Sequence, residues 1–278
     1  MTDAMLLDPP LLPLWRAPGV LQLGVDGRIV FKKVPDELAH AITLLNHPQT
    51  RTSLARLLPT LDNAWIDWLW AELTRHGTLR PVDRKSTSIA VIGSGELATK
   101  LAGALNEINH TPAVQPTRGI EMALVPGQAL RGTWTTRPGL AILATLTAEP
   151  DRTLTDELVQ ASIPHLVVRT EPNRAVVGPF VVPGSTGCVR CLDLTQSHYD
   201  SVWPRLLAQL CRATPRPPAG LRAWAVATAV VQVRAHLAGK VPDAMGRILE
   251  IRADDMSMHS LDVPAHPGCP CQNTLDDY

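Results

Sequence analysis

The sequence predicts an α/β protein of two domains, and three observations carry that prediction. Two strand-like runs at 19–34 flank an Asp26-Gly27 turn and precede three helix candidates. A buried strand, a glycine turn and a helix follow at 88–110. Strand-like and helix-like runs then alternate, which favours a parallel-rich sheet of the Rossmann type. A chain of 278 residues also suits two domains of about 100–200 residues each.

The first domain, residues 1–85, has the element order of a winged-helix module. Residues 1–12 are rich in Leu and Pro and predict an irregular lead-in to the hairpin. Three helices are expected in the stretches DELAHAITLLNH, TRTSLARLLPT and DNAWIDWLWAELTRHG. Asp36 is the expected N-cap of the first helix, and Asp62 or Asn63 that of the third.

The third helix carries an unusually wide apolar and aromatic face. Trp65, Trp68, Leu69 and Glu72 recur at spacings of three and four, as the residues of one helix face do. Such a face packs against neighbouring helices or forms a binding surface, and Leu69 is expected in the core. The sequence does not decide between the two uses for each tryptophan.

The second domain, residues 86–278, follows a linker-like stretch at 81–88. Its later part predicts three helices, then two strands and a Gly/Pro-rich tail. The expected elements are helices near 191–199, 202–211 and 218–239 and the strands RILEIRA and MHSLDV.

Four of the five cysteines form two close pairs in this domain. Cys188 and Cys191 form a C-x2-C pair, and after 77 intervening residues Cys269 and Cys271 form a C-x-C pair. Two short-loop pairs are the usual way to present four thiolates tetrahedrally to Zn²⁺. Such a site leaves no open position for substrate or water, so the predicted zinc is structural.

Other uses of these cysteines stay open. Cys188 and Cys191 could act as a redox pair, and all four could be buried free thiols. Cys211 lies on an expected helix and is interpreted as a core residue, whereas His266, three residues before Cys269, is an alternative ligand.

The glycine turn reads G-x-G-x-x-A through Gly93, Gly95 and Ala98. This spacing after a strand is typical of a Rossmann first turn, whose helix amides can face a phosphate. Dinucleotide binding also needs an acidic residue about 20 positions on, but that region holds Thr, Val and Gln, and Glu121 comes late. The turn therefore either binds a nucleotide or only packs the helix on the strand.

Composition excludes several function classes. Lys plus Arg equals Asp plus Glu at 26 each, and residues 1–80 hold eight of each sign, so neither duplex DNA nor an acidic membrane is an expected partner. The N-terminus lacks the features of a signal peptide, and the most apolar stretch, 221–240, is interrupted by charges. We expect a cytoplasmic protein, in which disulfides are improbable.

Taken together, these pieces resemble the ThiF/E1-like leader-peptide-binding proteins of thiazole/oxazole-modified peptide (TOMM) clusters, the partners of YcaO-type cyclodehydratases. The similarity runs from about residue 13 to 271, and GPFVVPGSTGCVRCLDL, WPRLLAQL and HPGCPC carry it. The resemblance implies a zinc tetrathiolate of Cys188, Cys191, Cys269 and Cys271.

The resemblance further implies that residues 13–80 recognise a leader peptide, which adds as a strand to the edge formed by RIVFKK (28–33) and packs on the third helix. The implied peptide contacts are Arg28, Ile29, Val30, Phe31, Trp65, Trp68, Leu69 and Glu72. The family's chemistry, ATP-dependent cyclodehydration of Cys, Ser or Thr in a precursor peptide, belongs to the YcaO partner.

Catalytic E1 relatives have a richer glycine loop, but here Glu96 follows Gly95. We therefore expect a non-catalytic, degenerate ThiF/E1-like domain and no ATP binding. Two alternatives stay open: a nucleotide-dependent enzyme, either an E1-like adenylyltransferase or an oxidoreductase, that uses the glycine turn, and a DNA-binding regulator. The sequence also leaves open whether the chain forms a homodimer.

Overall fold

The computed structural model describes residues 4–7, 10–81, 87–107, 113–115 and 137–275. The chain divides into two compact units, Met1–Lys85 and Ser86–Tyr278, called unit 1 and unit 2 below. The linker-like stretch falls at this division, and its residues 82–86 lie outside the described part.

Unit 1 combines short antiparallel strands with three helices. In the described residues its elements are β1 (Met5–Leu7), β2 (Pro13–Ala17), β3 (Val20–Leu23), β4 (Ile29–Lys32), α1 (Glu37–Leu44), α2 (Arg51–Leu57), α3 (Asn63–Arg75) and β5 (Leu79–Pro81). Strands β2, β3 and β4 form one antiparallel sheet in that order, and β1 pairs with β5 in a second.

Local chemistry explains the predicted hairpin and the start of the third helix. Strands β3 and β4 pair with Leu23 opposite Ile29, and their loop turns through Gly27 at φ 67°, a conformation that favours glycine. Helix α3 begins at Asn63 because the Asp62 carboxylate accepts a hydrogen bond of 2.9 Å from the Ala64 amide.

Two local predictions in unit 1 were wrong. Residues 5–7 form strand β1 and are not irregular, since they pair with β5 at the other end of the unit. Asp36 precedes α1 but makes no side-chain cap hydrogen bond, because its backbone is already helical (φ −64°, ψ −32°). A pairing between distant segments and a backbone angle are both invisible to local sequence patterns.

Unit 2 is a mixed α/β unit around a seven-stranded sheet. Its described elements are β6 (Ile89–Gly93), α4 (Gly95–Glu107), β7 (Ala113–Gln115), β8 (Leu140–Ala144), α5 (Arg152–Gln160), β9 (His165–Thr170), β10 (Arg174–Val181), α6 (Val189–Tyr199), α7 (Trp203–Leu210), α8 (Ala219–Leu237), β11 (Arg247–Arg252), β12 (Met258–Asp262) and a 3₁₀ helix, Pro270–Leu275. The strand order is β12-β11-β10-β9-β8-β6-β7.

The sheet is less parallel than the sequence predicts. The pairs β6–β7, β6–β8 and β8–β9 are parallel. The pairs β9–β10, β10–β11 and β11–β12 are antiparallel. The link between β9 and β10 consists of residues 171–173. So short a link permits a hairpin but no crossover, because a parallel connection needs a dozen residues or more.

Both faces of the parallel strands are covered, which explains their continuous apolar sequences. Val91 and Ile142 lie in a core cluster with residues of α4 and α8, such as Leu101 and Ala225. Their neighbours along the strands point the other way, and Ile92 joins a cluster with residues of α5. None of the described helices has the length and apolar character that a membrane crossing requires.

Candidate functional site

The four paired cysteines converge at one buried point of unit 2. Cys188 precedes α6 and Cys191 lies in its first turn, while Cys269 directly precedes the 3₁₀ helix and Cys271 lies in its first turn. The sulfur–sulfur distances are 3.8 Å for Cys188–Cys191, 3.6 Å for Cys188–Cys269 and 3.5 Å for Cys191–Cys271. A zinc–sulfur bond of about 2.3 Å gives a tetrahedron with edges of about 3.8 Å. The sulfurs therefore stand where a tetrahedral metal ion can be held, since all four lie within 4.8 Å of one another.

The backbone around the cluster explains the glycine beside the first cysteine pair. A Cβ on Gly187 would stand 2.1 Å from the Val263 carbonyl oxygen, so only glycine allows the two segments to approach. The Gly184 amide donates to the Cys271 carbonyl at 3.2 Å, and the Gln272 side chain donates to the Thr186 carbonyl at 3.1 Å. These contacts hold the tail against the loop before α6.

The close packing of the cluster shifts the pKa values of Cys188, Cys191 and Cys269. A hydrogen bond from Cys188 lowers the pKa of Cys191 to about 4, and the same bond raises the pKa of Cys188. Burial raises the pKa of Cys269 to about 11. Negative charges this close repel, so one thiolate forms at the expense of the others. A cation among them would let all four ionise, and soft thiolates in tetrahedral geometry fit Zn²⁺.

The other two candidates lie outside the sulfur cluster. Cys211 follows α7, and its half-buried thiol donates to the Pro150 carbonyl at 3.3 Å. The His266 Nδ1 atom accepts a hydrogen bond of 3.0 Å from the Gly268 amide. Neither residue contributes an atom to the four-ligand group.

The glycine turn ends β6 and begins α4, and packing accounts for each of its small residues. A Cβ on Gly93 would stand 1.9 Å from the Ala144 carbonyl oxygen of the adjacent strand β8. Gly95 adopts a φ of 82°, and Ala98 is buried where α4 meets the sheet. The small residues of the turn thus allow β6, β8 and α4 to pack closely together.

The start of α4 carries a negative charge, which disfavours a bound phosphate there. The Glu96 carboxylate binds Lys100 at 2.7 Å and Arg222 at 3.0 Å, and its hydrogen bond with Lys100 lowers its pKa. A negative charge in the first turn of a helix lowers the affinity of the nearby helix amides for a second anion. The Leu146 side chain lies 3.1 Å from where a Cβ on Gly95 would stand, which narrows the same space. Glu121, the late candidate for a ribose ligand, lies outside the described residues.

The predicted peptide-binding residues lie on β4 and α3 of unit 1. In the described residues β4 pairs with β3 only, so its other edge is unpaired. Phe31 on β4 contacts Trp68 on α3 edge to face, with ring centroids 5.0 Å apart. Trp65 contacts Trp68 in the same way at 5.3 Å. Both tryptophans are half-buried, which leaves an aromatic surface beside the free edge of β4.

The remaining residues of the predicted set have different surroundings. Leu69 is completely buried and Phe31 nearly so, and both belong to the core beneath the aromatic surface. Glu72 pairs with Arg75 and lies 3.9 Å from the His76 ring. The Arg28 side chain is 86% exposed and pairs with Asp26 at 2.9 Å.

Comparisons with known proteins were made for the whole chain. No protein-family model matches it, and no curated protein matches it significantly. Among solved structures, the heterocyclase TruD matches with a TM-score of 0.59 at 18% identity over 96% of this chain and 42% of its own. A heterocyclase in complex with substrate and cofactor matches with a TM-score of 0.62 at 17% identity, over 97% of this chain and 39% of its own. Escherichia coli MccB with AMPCPP and MccA matches with a TM-score of 0.54 at 14% identity, over 97% of this chain and 99% of its own.

The chain shares the fold of these proteins. At identities below 20% the likeness concerns the fold and says nothing of activity. The chain spans about two-fifths of the length of the two heterocyclases and nearly all of MccB.

Sequence reasoning missed a chain of ion pairs across the outer strands of unit 2. Arg152 binds Asp193 at 2.6 Å, Glu149 binds Arg169 at 3.1 Å, and Arg174 binds Glu250 at 3.0 Å. Eight alternating charges are linked in the order Asp193, Arg152, Glu149, Arg169, Glu171, Arg174, Glu250 and Arg252. Five of them border a cavity of about 230 Å³: Glu149, Arg169, Arg174, Glu250 and Arg252. The partners come from different strands and helices, so no local motif announces them.

Proposed function

We propose that the chain is a peptide-binding adaptor in the biosynthesis of thiazole/oxazole-modified peptides, and that it presents a precursor peptide to a YcaO-type cyclodehydratase. Unit 1 acts as a winged-helix-like recognition module. One observation carries the proposal: the unpaired edge of β4 lies beside the aromatic surface formed by Trp65 and Trp68.

An unpaired strand edge and an adjacent apolar surface are what strand addition requires. The free N–H and C=O groups of β4 supply affinity for any extended backbone. Side chains that the peptide points toward α3 meet Trp68 and Trp65, whose large rings bind apolar groups. Arg28, Ile29, Val30 and Phe31 position the strand, Leu69 supports the tryptophans from the core, and Glu72 borders them.

Both kinds of structural neighbour favour a peptide partner. One heterocyclase structure contains substrate, and one MccB structure contains MccA. The rest of each heterocyclase, about three-fifths of its length, is not matched by these 278 residues. We assign the ATP-dependent cyclodehydration of Cys, Ser or Thr to a separate YcaO-type partner.

The cysteine cluster has a structural role in this proposal. Cys188, Cys191, Cys269 and Cys271 would hold Zn²⁺ with all four positions filled by protein sulfur, which leaves none for a substrate. The ion would fix the tail to the loop before α6.

A second candidate function is adenylation at the glycine turn. A structure of MccB with ATP matches 97% of this chain and 99% of its own, with a TM-score of 0.54. The Glu96 carboxylate and the Leu146 side chain beside Gly95 disfavour a phosphate there. We rank this function second for that reason.

The adaptor function predicts tight binding of a leader peptide encoded by a short gene beside this one. We expect a Kd of about 1 μM or lower for the full chain, measured by fluorescence anisotropy of the labelled peptide. Trp68→Ala should raise the Kd by about 30-fold or more, because aromatic anchors contribute about 2 kcal/mol or more to such interfaces. A chain lacking residues 1–85 should not bind.

The matched control is Trp224→Ala, which removes a tryptophan from α8 of unit 2 and should leave the Kd unchanged. Circular dichroism must show that each variant is folded. If the full chain and the truncated chain both fail to bind, the adaptor function is wrong. ATP–pyrophosphate exchange by the full chain would then support the second candidate.

A further inference from the structure

The part of β4 that can accept a new strand has sharp limits. Gly27 (φ 67°) precedes it and Lys33 (φ 57°) follows it, and both adopt left-handed backbone conformations. Such residues cannot continue an extended strand. The pairable edge is therefore residues 28–32, so an added strand matches it over five residues.

Alternate residues of this edge lie in different surroundings. Ile29 and Phe31 face the core of unit 1, and Phe31 contacts Trp68. Arg28, Val30 and Lys32 lie on the opposite face, because successive side chains of a strand alternate. Both ends of that second face are cationic and exposed.

The edge stretch 28–33 holds three basic residues and no acidic one, whereas the charges on α3 are paired. Asp67 of α3 lies 3.5 Å from Arg51, and Glu72 is paired with Arg75. On the edge, only Arg28 has an acidic neighbour, Asp26. In the part of the chain that the structure describes, Lys32 and Lys33 have no ion-pair partner. The edge therefore presents positive charge to whatever pairs with it.

We propose that the bound peptide contains a five-residue segment of the form acidic–apolar–any–apolar–acidic, an inference that rests on the proposed peptide-binding function. Residues directly opposite each other in paired strands share a face. The two apolar residues then lie opposite Ile29 and Phe31 and pack on the tryptophans, and the two acidic residues lie opposite Arg28 and Lys32. The pattern is symmetric about Val30, so it is the same for a parallel and an antiparallel peptide.

The test uses the full chain and three labelled peptides of equal length. The first carries Asp-Leu-Ser-Leu-Asp at its centre, the second Lys-Leu-Ser-Leu-Lys, and the third Leu-Asp-Ser-Asp-Leu. The third peptide has the same composition as the first, but its leucines and aspartates have changed places, so that the acidic residues would lie on the core face. An exposed opposite-charge pair changes affinity by about two- to fivefold, and two pairs act here. We expect the first peptide to bind about tenfold or more tighter than either of the others, less so at high salt.

A charge-exchange variant tests the residues themselves. Arg28→Glu combined with Lys32→Glu should reverse the preference between the first two peptides. The matched control is Arg16→Glu combined with Arg56→Glu, which makes the same charge change on β2, at the other edge of the sheet, and on α2. The control should keep the original preference.

Two results would overturn this inference. One is equal binding of the first two peptides to the unaltered chain, and the other is a preference that the control variant reverses as strongly. If the leader peptide from the neighbouring gene binds in a way that depends on Trp68 while the three designed peptides bind with equal affinity, the proposed five-residue pattern is wrong and the adaptor function stands. If neither the leader nor any designed peptide binds, both are wrong.

Discussion

If the four cysteines hold zinc as proposed, replacing Cys188 with serine is expected to abolish zinc binding and lower the free energy of unfolding by about 3 kcal/mol or more. Serine keeps the shape of the side chain but is a poor zinc ligand. The other three sulfurs would then stand close together in a buried site without the cation that lets them ionise. Mass spectrometry of inorganic elements should find about one zinc ion per unaltered chain and almost none in the variant. The melting temperature should fall by about 6–12 °C.

Cys211→Ser supplies the matched control for this prediction. The Cys211 thiol is half-buried and donates only to the Pro150 carbonyl, a bond that a hydroxyl can also make. Its replacement should leave the zinc content unchanged and alter stability by less than about 1 kcal/mol. Zinc-free unaltered protein that melts at the same temperature as the zinc-loaded protein would contradict the structural role. X-ray absorption should show four sulfurs at about 2.3 Å.

The convergence of the four cysteines was the most predictable feature of the candidate site, because the close spacing within each pair already brings two sulfurs together. A C-x2-C pair at the start of a helix and a C-x-C pair in a turn each place two sulfurs on one side of an ion. The spacing of the cysteines alone does not show that the two pairs, which are far apart in sequence, come together in the fold. That meeting depends on Gly187, where the backbone approaches Val263 too closely for any side chain.

The fold was predictable where local chemistry determines it and unpredictable where distant segments pair. The Asp26-Gly27 hairpin and the Asp62 cap follow from residues next to each other. The pairing of Met5 with Pro81 does not, and neither does the ion pair between Arg174 and Glu250. The change from parallel to antiparallel strands was predictable from the three-residue link at 171–173, because so short a link between two apolar runs allows only an antiparallel pairing.

The helical spacing of α3 predicts a face but cannot divide that face into core and surface. Trp65, Trp68 and Leu69 all recur at helical spacing, yet Leu69 is completely buried and the two tryptophans are half-buried. The difference is set by the sheet, since Phe31 of β4 contacts Trp68 from the side. The aromatic surface next to the free strand edge thus becomes visible only when strand and helix are placed together.

Gly93→Ala is expected to destabilise unit 2 by about 2–4 kcal/mol and lower its melting temperature by about 4–16 °C. The added methyl group would stand 1.9 Å from the Ala144 carbonyl oxygen, and both atoms belong to paired strands of the same sheet. Strand β6 or β8 must move to relieve this contact, because no flexible side chain can give way. Calorimetry and circular dichroism would measure the loss, and peptide affinity should stay unchanged since β4 belongs to unit 1.

Gly103→Ala is the opposite case on the helix that follows the same turn. Nothing lies within 4 Å of a Cβ at Gly103, which is exposed within α4. Alanine should therefore stabilise the helix by about 0.5–1 kcal/mol. If Gly93→Ala left stability intact but abolished a measurable nucleotide affinity, the turn would be a binding loop, and adenylation would replace the adaptor function. A large loss of stability without any nucleotide effect would instead show that Gly93 serves the packing of strands β6 and β8.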